Sequence, residues 1–101
     1  MPAELTVIRW RDIPAQVIAT SGRTKARRRL ADRFQEAIDA AATKEGLIGT
    51  DDYLAEWRKD TRACGDDLEG EASAEAERLD RAFPPDVLDG LAKAGGLRRD
   101  P

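Results

Sequence analysis

The chain is 101 residues long and carries seventeen Lys and Arg against twenty Asp and Glu, a formal net charge of −3. Its hydrophobic fraction of 41% includes five aromatic residues, Trp10, Phe34, Tyr53, Trp57 and Phe83, enough for one modest core burying about 60–65% of the surface of the unfolded chain. Histidine is absent and Cys64 is the sole cysteine, which excludes Ser-His and Cys-His nucleophile pairs and an intramolecular disulfide, and leaves only poor zinc chemistry.

The N-terminus has no basic stretch followed by an apolar run, and no apolar segment is long enough to span a bilayer. The expectation is a soluble cytoplasmic protein without a membrane role. Charge is unevenly placed along the chain. Residues 1–33 hold eight Lys/Arg against three Asp/Glu, and residues 34–101 hold nine against seventeen. An anionic ligand, a nucleic acid or an acidic partner suits the basic part.

Leu5 to Trp10 is rich in β-branched and aromatic residues, as a half-buried strand prefers. Pro14 interrupts it, and Ala15 to Thr20 reads as a second short strand stopped by Ser21-Gly22. From Thr24 the period changes: Leu30, Phe34, Ile38 and Ala41 recur at helical spacing, predicting an amphipathic helix that ends near Gly46. Thr50 before Asp51-Asp52 is a helix-start signal, and the helix it opens carries Tyr53, Leu54, Trp57 and Cys64 on one side before Gly65. Asp66 to Glu71 reads as an acidic connector. Ala72, Ala76, Leu79 and Phe83 mark another helix, ended by Pro84-Pro85. Pro85 opens a short last helix with Val87, Leu88 and Leu91 inward and Gly95-Gly96 as its stop.

The expected fold is therefore α+β. One domain over residues 1–96 places an N-terminal two-stranded β-hairpin (4–21) against three to four α-helices (24–45, 50–64, 72–83 and 85–94), with 97–101 a frayed tail. A two-stranded sheet is marginal alone, so its edge is open to a strand from another chain, including a second copy.

The candidate functional residues come from charge. On the expected helix Lys25, Arg29 and Arg33 line up at four-residue spacing as a basic ridge. Arg27, Arg28 and Arg29 fan across about 200° of helix and cannot all share it. Arg9 and Arg11 alternate on the first strand and join the ridge, with Trp10 on the opposite side. Three readings stay open: a face paired internally, as Arg28–Asp32 or Arg33–Glu36 spacing allows; an acidic protein partner; or a nucleic acid, which would show a steep salt dependence. Trp10, Tyr53 and Trp57 serve either as core or as interface anchors. No Gly-rich phosphate loop is present, and nothing calls for a cofactor, although an anionic one such as a polyglutamyl folate suits the ridge.

The run Val7-Ile8-Arg9-Trp10-Arg11-Asp12-Ile13-Pro14-Ala15-Gln16-Val17-Ile18 resembles the opening of a small bacterial family known only as "virulence factor". The resemblance continues through Gly22, Leu30, Arg33-Phe34, Ala37-Ile38-Asp39, Gly49-Thr50-Asp51, Tyr53-Leu54 and Glu56-Trp57-Arg58. Similar proteins are often encoded near folate- and corrinoid-dependent methyl-transfer enzymes. What the resemblance implies is a non-catalytic accessory or interaction subunit of such a cytoplasmic system; the alternative is a small nucleic-acid-binding protein. The expected contact surface comprises Arg9, Trp10, Arg11, Lys25, Arg29 and Arg33.

Overall fold

β1 (Ala3–Trp10) and β2 (Ile13–Ser21) form the expected hairpin, joined by a tight turn in which Arg11 adopts a left-handed backbone (φ 53°). In the computed structural model, which describes residues 2–98, this hairpin is the centre of a larger sheet. The remaining elements are β3 (Thr24–Arg29), α1 (Asp32–Lys44), α2 (Asp51–Ala55), β4 (Trp57–Cys64), α3 (Leu68–Ala82) and α4 (Pro85–Lys93). The sheet is four-stranded and antiparallel, in the order β3-β2-β1-β4.

The α+β class stands, but two segments read as helix are strands. The first is Thr24–Arg29, which pairs with β2 from Ser21↔Thr24 to Gln16↔Arg29. Gly22, at φ 59°, makes the two-residue connection that a tight hairpin requires. Only Ala26 of this strand is buried, so its hydrophobic signal is nearly nil. The helix expected from Thr24 therefore starts at Asp32 instead.

The second segment is Trp57–Cys64. Thr50 caps α2 as expected, its Oγ1 accepting from Tyr53 N at 3.2 Å. That helix stops after Ala55, leaving Leu54 64% exposed, and the chain pairs along β1 from Trp10↔Trp57 to Ala3↔Cys64. β1 thus gains its second neighbour from its own chain. The free edges are β3 and β4.

The connector expected at Asp66–Glu71 is largely the first turn of α3. Asp67 caps it by accepting from Gly70 N at 3.1 Å. A Cβ at residue 70 would lie 2.3 Å from Asp67 Oδ2, so glycine makes room for that cap. α4 follows its expected bounds, with proline in its first turn and Gly95 and Gly96 at positive φ beyond it.

α3 lies across β2 and β3, while α1 packs on β2 and α4 on α1. The core between sheet and helices contains Leu5, Trp10, Ile13, Val17, Phe34, Ile38 and Leu79. Phe34 and Phe83 meet edge to face at 6.1 Å, tying α1 to the end of α3. Of the expected frayed tail, Leu97 and Arg98 are placed: Arg98 N donates to Asp12 Oδ2 at 2.6 Å, and its guanidinium lies 5.5 Å from the Phe83 ring centroid. Arg99, Asp100 and Pro101 lie outside the described residues. Among the described residues no helix is long and apolar enough to cross a membrane.

Candidate interaction face

Directly opposite residues of antiparallel strands project to the same side of a sheet. The register therefore defines three rows on the side of the sheet opposite α3, ending where the pair Trp10 and Ile13 is buried at the α2 end. They read Lys25–Thr20–Glu4–Ala63, Arg27–Ile18–Thr6–Thr61 and Arg29–Gln16–Ile8–Lys59. Thr6 and Thr61 are joined through their hydroxyls at 3.0 Å, as this register demands. Every side chain in the rows is half-buried or exposed, and none is buried. The inward set (Leu5, Val7, Val17, Ala19 and Ala26) meets the helices.

The open face is cationic along β3. Lys25, Arg27 and Arg29 occupy alternate positions there, Lys59 lies on β4, and Glu4 is the one carboxylate in the rows. None of these four cations has an ion pair or a side-chain hydrogen bond among the described residues. Several cations that point elsewhere are engaged, among them Arg9, Arg11, Arg28, Arg33 and Arg78. Arg28, on the inward side of β3, reaches Ser73 and Glu69 of α3.

The six residues expected to form one contact surface are dispersed by the fold. Lys25 and Arg29 fall on the same side of β3, with Arg29, at the end of the strand, also bordering a recess lined by Ala76, Glu77 and Asp80 of α3. Arg33 does not continue their line, because it belongs to α1; it caps the end of α3 through Asp80 Oδ1 (2.9 Å) and the carbonyls of Asp80 and Phe83. Trp10 is fully buried, its Nε1 donating to the Tyr53 carbonyl at 2.9 Å. Arg11 is in the turn and not on the strand. It reaches Glu45 Oε1 (3.0 Å) and the Gly95 carbonyl (2.8 Å), so it clasps the ends of α1 and α4. Arg9 faces the helix side and pairs with Asp60 at 2.6 Å. Arg27 and Lys59 were not among the expected residues. Arg27 was legible as the middle of a period-two cationic run, whereas Lys59 needed the pairing of β4 with β1.

Burial, with the Glu71 carboxylate next, raises the Cys64 thiol above its ordinary range, so it is a poor nucleophile at neutral pH. Among the described residues no group of three or more His, Cys, Asp or Glu could hold a metal ion.

The fold and this face define a small α+β domain whose sheet carries α3 on one side and, on the other, a row of cations without ion pairs among the described residues. The chain belongs to the family described as virulence factor, whose sequence model matches residues 8–92, from within β1 to the end region of α4. No curated protein and no solved structure matches it.

Proposed function

We propose that this domain is a non-catalytic accessory unit that docks an acidic, extended segment of a protein partner along β3 and the adjoining open face. The observation that carries the reading is the row of cations on the edge strand β3. Among the described residues Lys25, Arg27 and Arg29 have no carboxylate partner, and they stand at alternate positions of one edge strand; Arg23, Lys44, Lys59, Arg81 and Arg98 are also without one but form no such row. Alternate residues of a strand stand about 6.6 Å apart, so a strand bearing Asp or Glu at alternate positions would match the three cations. Ile8 and Ile18 supply an apolar centre beside them. Pairing two β3 edges from two copies would oppose cation to cation, which favours a different, acidic partner over a homodimer through this edge.

A nucleic acid is the weaker reading of the same face. Sheets that bind single strands stack bases on aromatic rings, and the three rows contain none. Trp57, beyond the third row, is turned edge-on against Tyr53 at 6.2 Å. In this reading the partner is a cytoplasmic enzyme, and the resemblance noted above nominates folate- or corrinoid-dependent methyl-transfer proteins as the ones to test first.

The experiment is retention of partners from host extract at low and high salt, by the parent chain and by the Lys25→Glu/Arg27→Glu/Arg29→Glu variant. The expected result is a protein with an acidic segment that the parent retains and the variant releases, with circular dichroism unchanged. Equal retention by both chains, or nucleic acid alone in the retained fraction, overturns the proposal.

A further inference from the structure

On the opposite side of the sheet, β4 extends beyond the cover of α3 and leaves a cleft of about 670 Å³ bounded by β1, β4, α3 and the segment after α4. That volume falls within the range of small-molecule sites. Its apolar surface comes from Leu5, Val7, Pro14, Leu79, Ala82 and Phe83, and four arginines line it, Arg9, Arg62, Arg78 and Arg98. We propose that this cleft binds a small anionic molecule with an apolar body and a carboxylate or phosphate group.

Three observations lead there. Glu75 occupies a core position of α3, its side chain only 6% exposed. It accepts from Arg78 Nε at 2.8 Å and lies 3.5 Å from Arg62 Nη2. Replacing a buried ion pair by a well-packed apolar residue is often neutral or stabilising, so packing alone does not call for a carboxylate there. What the carboxylate adds is orientation: it holds the two guanidinium groups at the mouth of the cleft.

Donors also outnumber acceptors. Each guanidinium offers five N–H groups in a planar fork suited to carboxylate or phosphate. Asp60 accepts from Arg9, Glu75 from Arg78 and Arg62, and Asp12 is occupied by the Arg98 backbone N–H. Arg9 Nε is left buried without a hydrogen-bond partner. The Arg98 guanidinium rests against the Phe83 ring and makes no ion pair or side-chain hydrogen bond among the described residues.

The third observation is the arrangement of these groups. Leu79 and Phe83, one turn apart on α3 and its C-cap, form a surface for an apolar ligand body, with Arg98 poised above Phe83. A polar group at one end of an apolar slot fixes ligand orientation. The site lies on the α3 side of the sheet, opposite the row of β3 cations, and the cleft and the open face share Thr61 at the β4 edge.

The test is titration of the isotope-labelled chain with phenyl phosphate, benzoate and inorganic phosphate, with benzyl alcohol as the uncharged control, followed by NMR. The expected result is saturable shifts at Leu5, Val7, Leu79 and Phe83 with an aromatic anion at a probe concentration on the order of 1 mM. Preference for phenyl phosphate or for benzoate identifies the anionic group. Affinity should fall about tenfold in Arg98→Gln, an exposed side chain whose loss leaves the core untouched, and likewise in Arg9→Gln. Equal binding of benzyl alcohol, shifts confined to Lys25–Arg29, or no saturable shift with either aromatic anion overturns the proposal.

Discussion

Trp10 and Tyr53 stack with ring centroids 5.7 Å apart and planes inclined by 29°, and the indole N–H of the first bonds the backbone carbonyl of the second. This contact fixes α2 against the end of β1. Two residues after α2 ends, Trp57 pairs with Trp10 and β4 begins. The stacked pair thus sets where the last strand enters the sheet. Trp10→Ala is expected to cost about 3–5 kcal/mol, through lost burial and the cavity left behind. Trp10→Phe keeps most of the apolar contact and should cost less, chiefly the bond to Tyr53. Urea unfolding followed by circular dichroism separates the two; equal loss in both variants would show that the bond and not the packing dominates.

Two glycines give opposite expectations. Gly96 has φ 86°, and a Cβ there would lie 2.9 Å from the Trp10 ring. Gly96→Ala therefore combines backbone strain of about 1–2 kcal/mol with a push on the most buried aromatic side chain, and should lower the melting temperature. Gly90 lies within α4, with open space where its Cβ would be. Gly90→Ala should stabilise by about 0.5–1 kcal/mol, since alanine restricts the unfolded chain and favours helix. Thermal melts of the two single variants, run side by side, decide both signs.

The elements legible in the sequence are those whose own side chains reach the core. The β1–β2 hairpin, the Phe34/Ile38/Ala41 stripe of α1 and the proline-to-glycine span of α4 all carry that signal. β3 and β4 do not. Ala26 is the one buried residue of β3, and none of β4 is buried, since no helix covers its inner side. Their strand character comes from backbone pairing with the hairpin, a long-range fact that local spacing does not contain. The candidate face was half legible for a geometric reason. Positions 25 and 29 fall on one side of a strand as well as of a helix, so Lys25 and Arg29 stayed together when the element changed. Arg33, in α1, did not.

Arg27 and Arg28 are neighbours in β3 that face opposite sides of the sheet, and this separates docking from folding. Arg27 is exposed on the open face, while Arg28 is half-buried and held by Glu69 and Ser73 of α3. Arg27→Glu should leave stability within about 0.5 kcal/mol and weaken capture of the acidic partner, most clearly at low salt. Arg28→Gln should leave capture unchanged and lower stability by up to about 1 kcal/mol, as expected for one partly exposed ion pair. Parallel binding and unfolding measurements would refute this division of labour if the two variants behaved alike.

Glu75 gives the molecule a pH dependence whose sign can be worked out. The hydrogen bond from Arg78 holds its carboxyl below the ordinary glutamate value of 4.5, outweighing the opposing effect of burial. A group whose pKa is lower in the folded chain than in the unfolded one stabilises fully above the unfolded value, and that stabilisation is lost as the pH falls through the folded value. The contribution is therefore present at pH 5 and above and declines below pH 4.5. Glu75→Gln should flatten this part of the stability–pH curve. Arg78→Ala should cost about 1–3 kcal/mol at neutral pH by leaving a buried carboxylate poorly satisfied, and progressively less as the pH falls and protonation removes that charge. Glu75→Leu removes the charge altogether and should be neutral or stabilising at pH 7. Denaturant unfolding of the parent and the three variants from pH 3 to pH 7 reads all of this. A strongly destabilised Glu75→Leu would mean that the ion pair serves the fold itself and that Glu75 is not there to orient the cleft arginines.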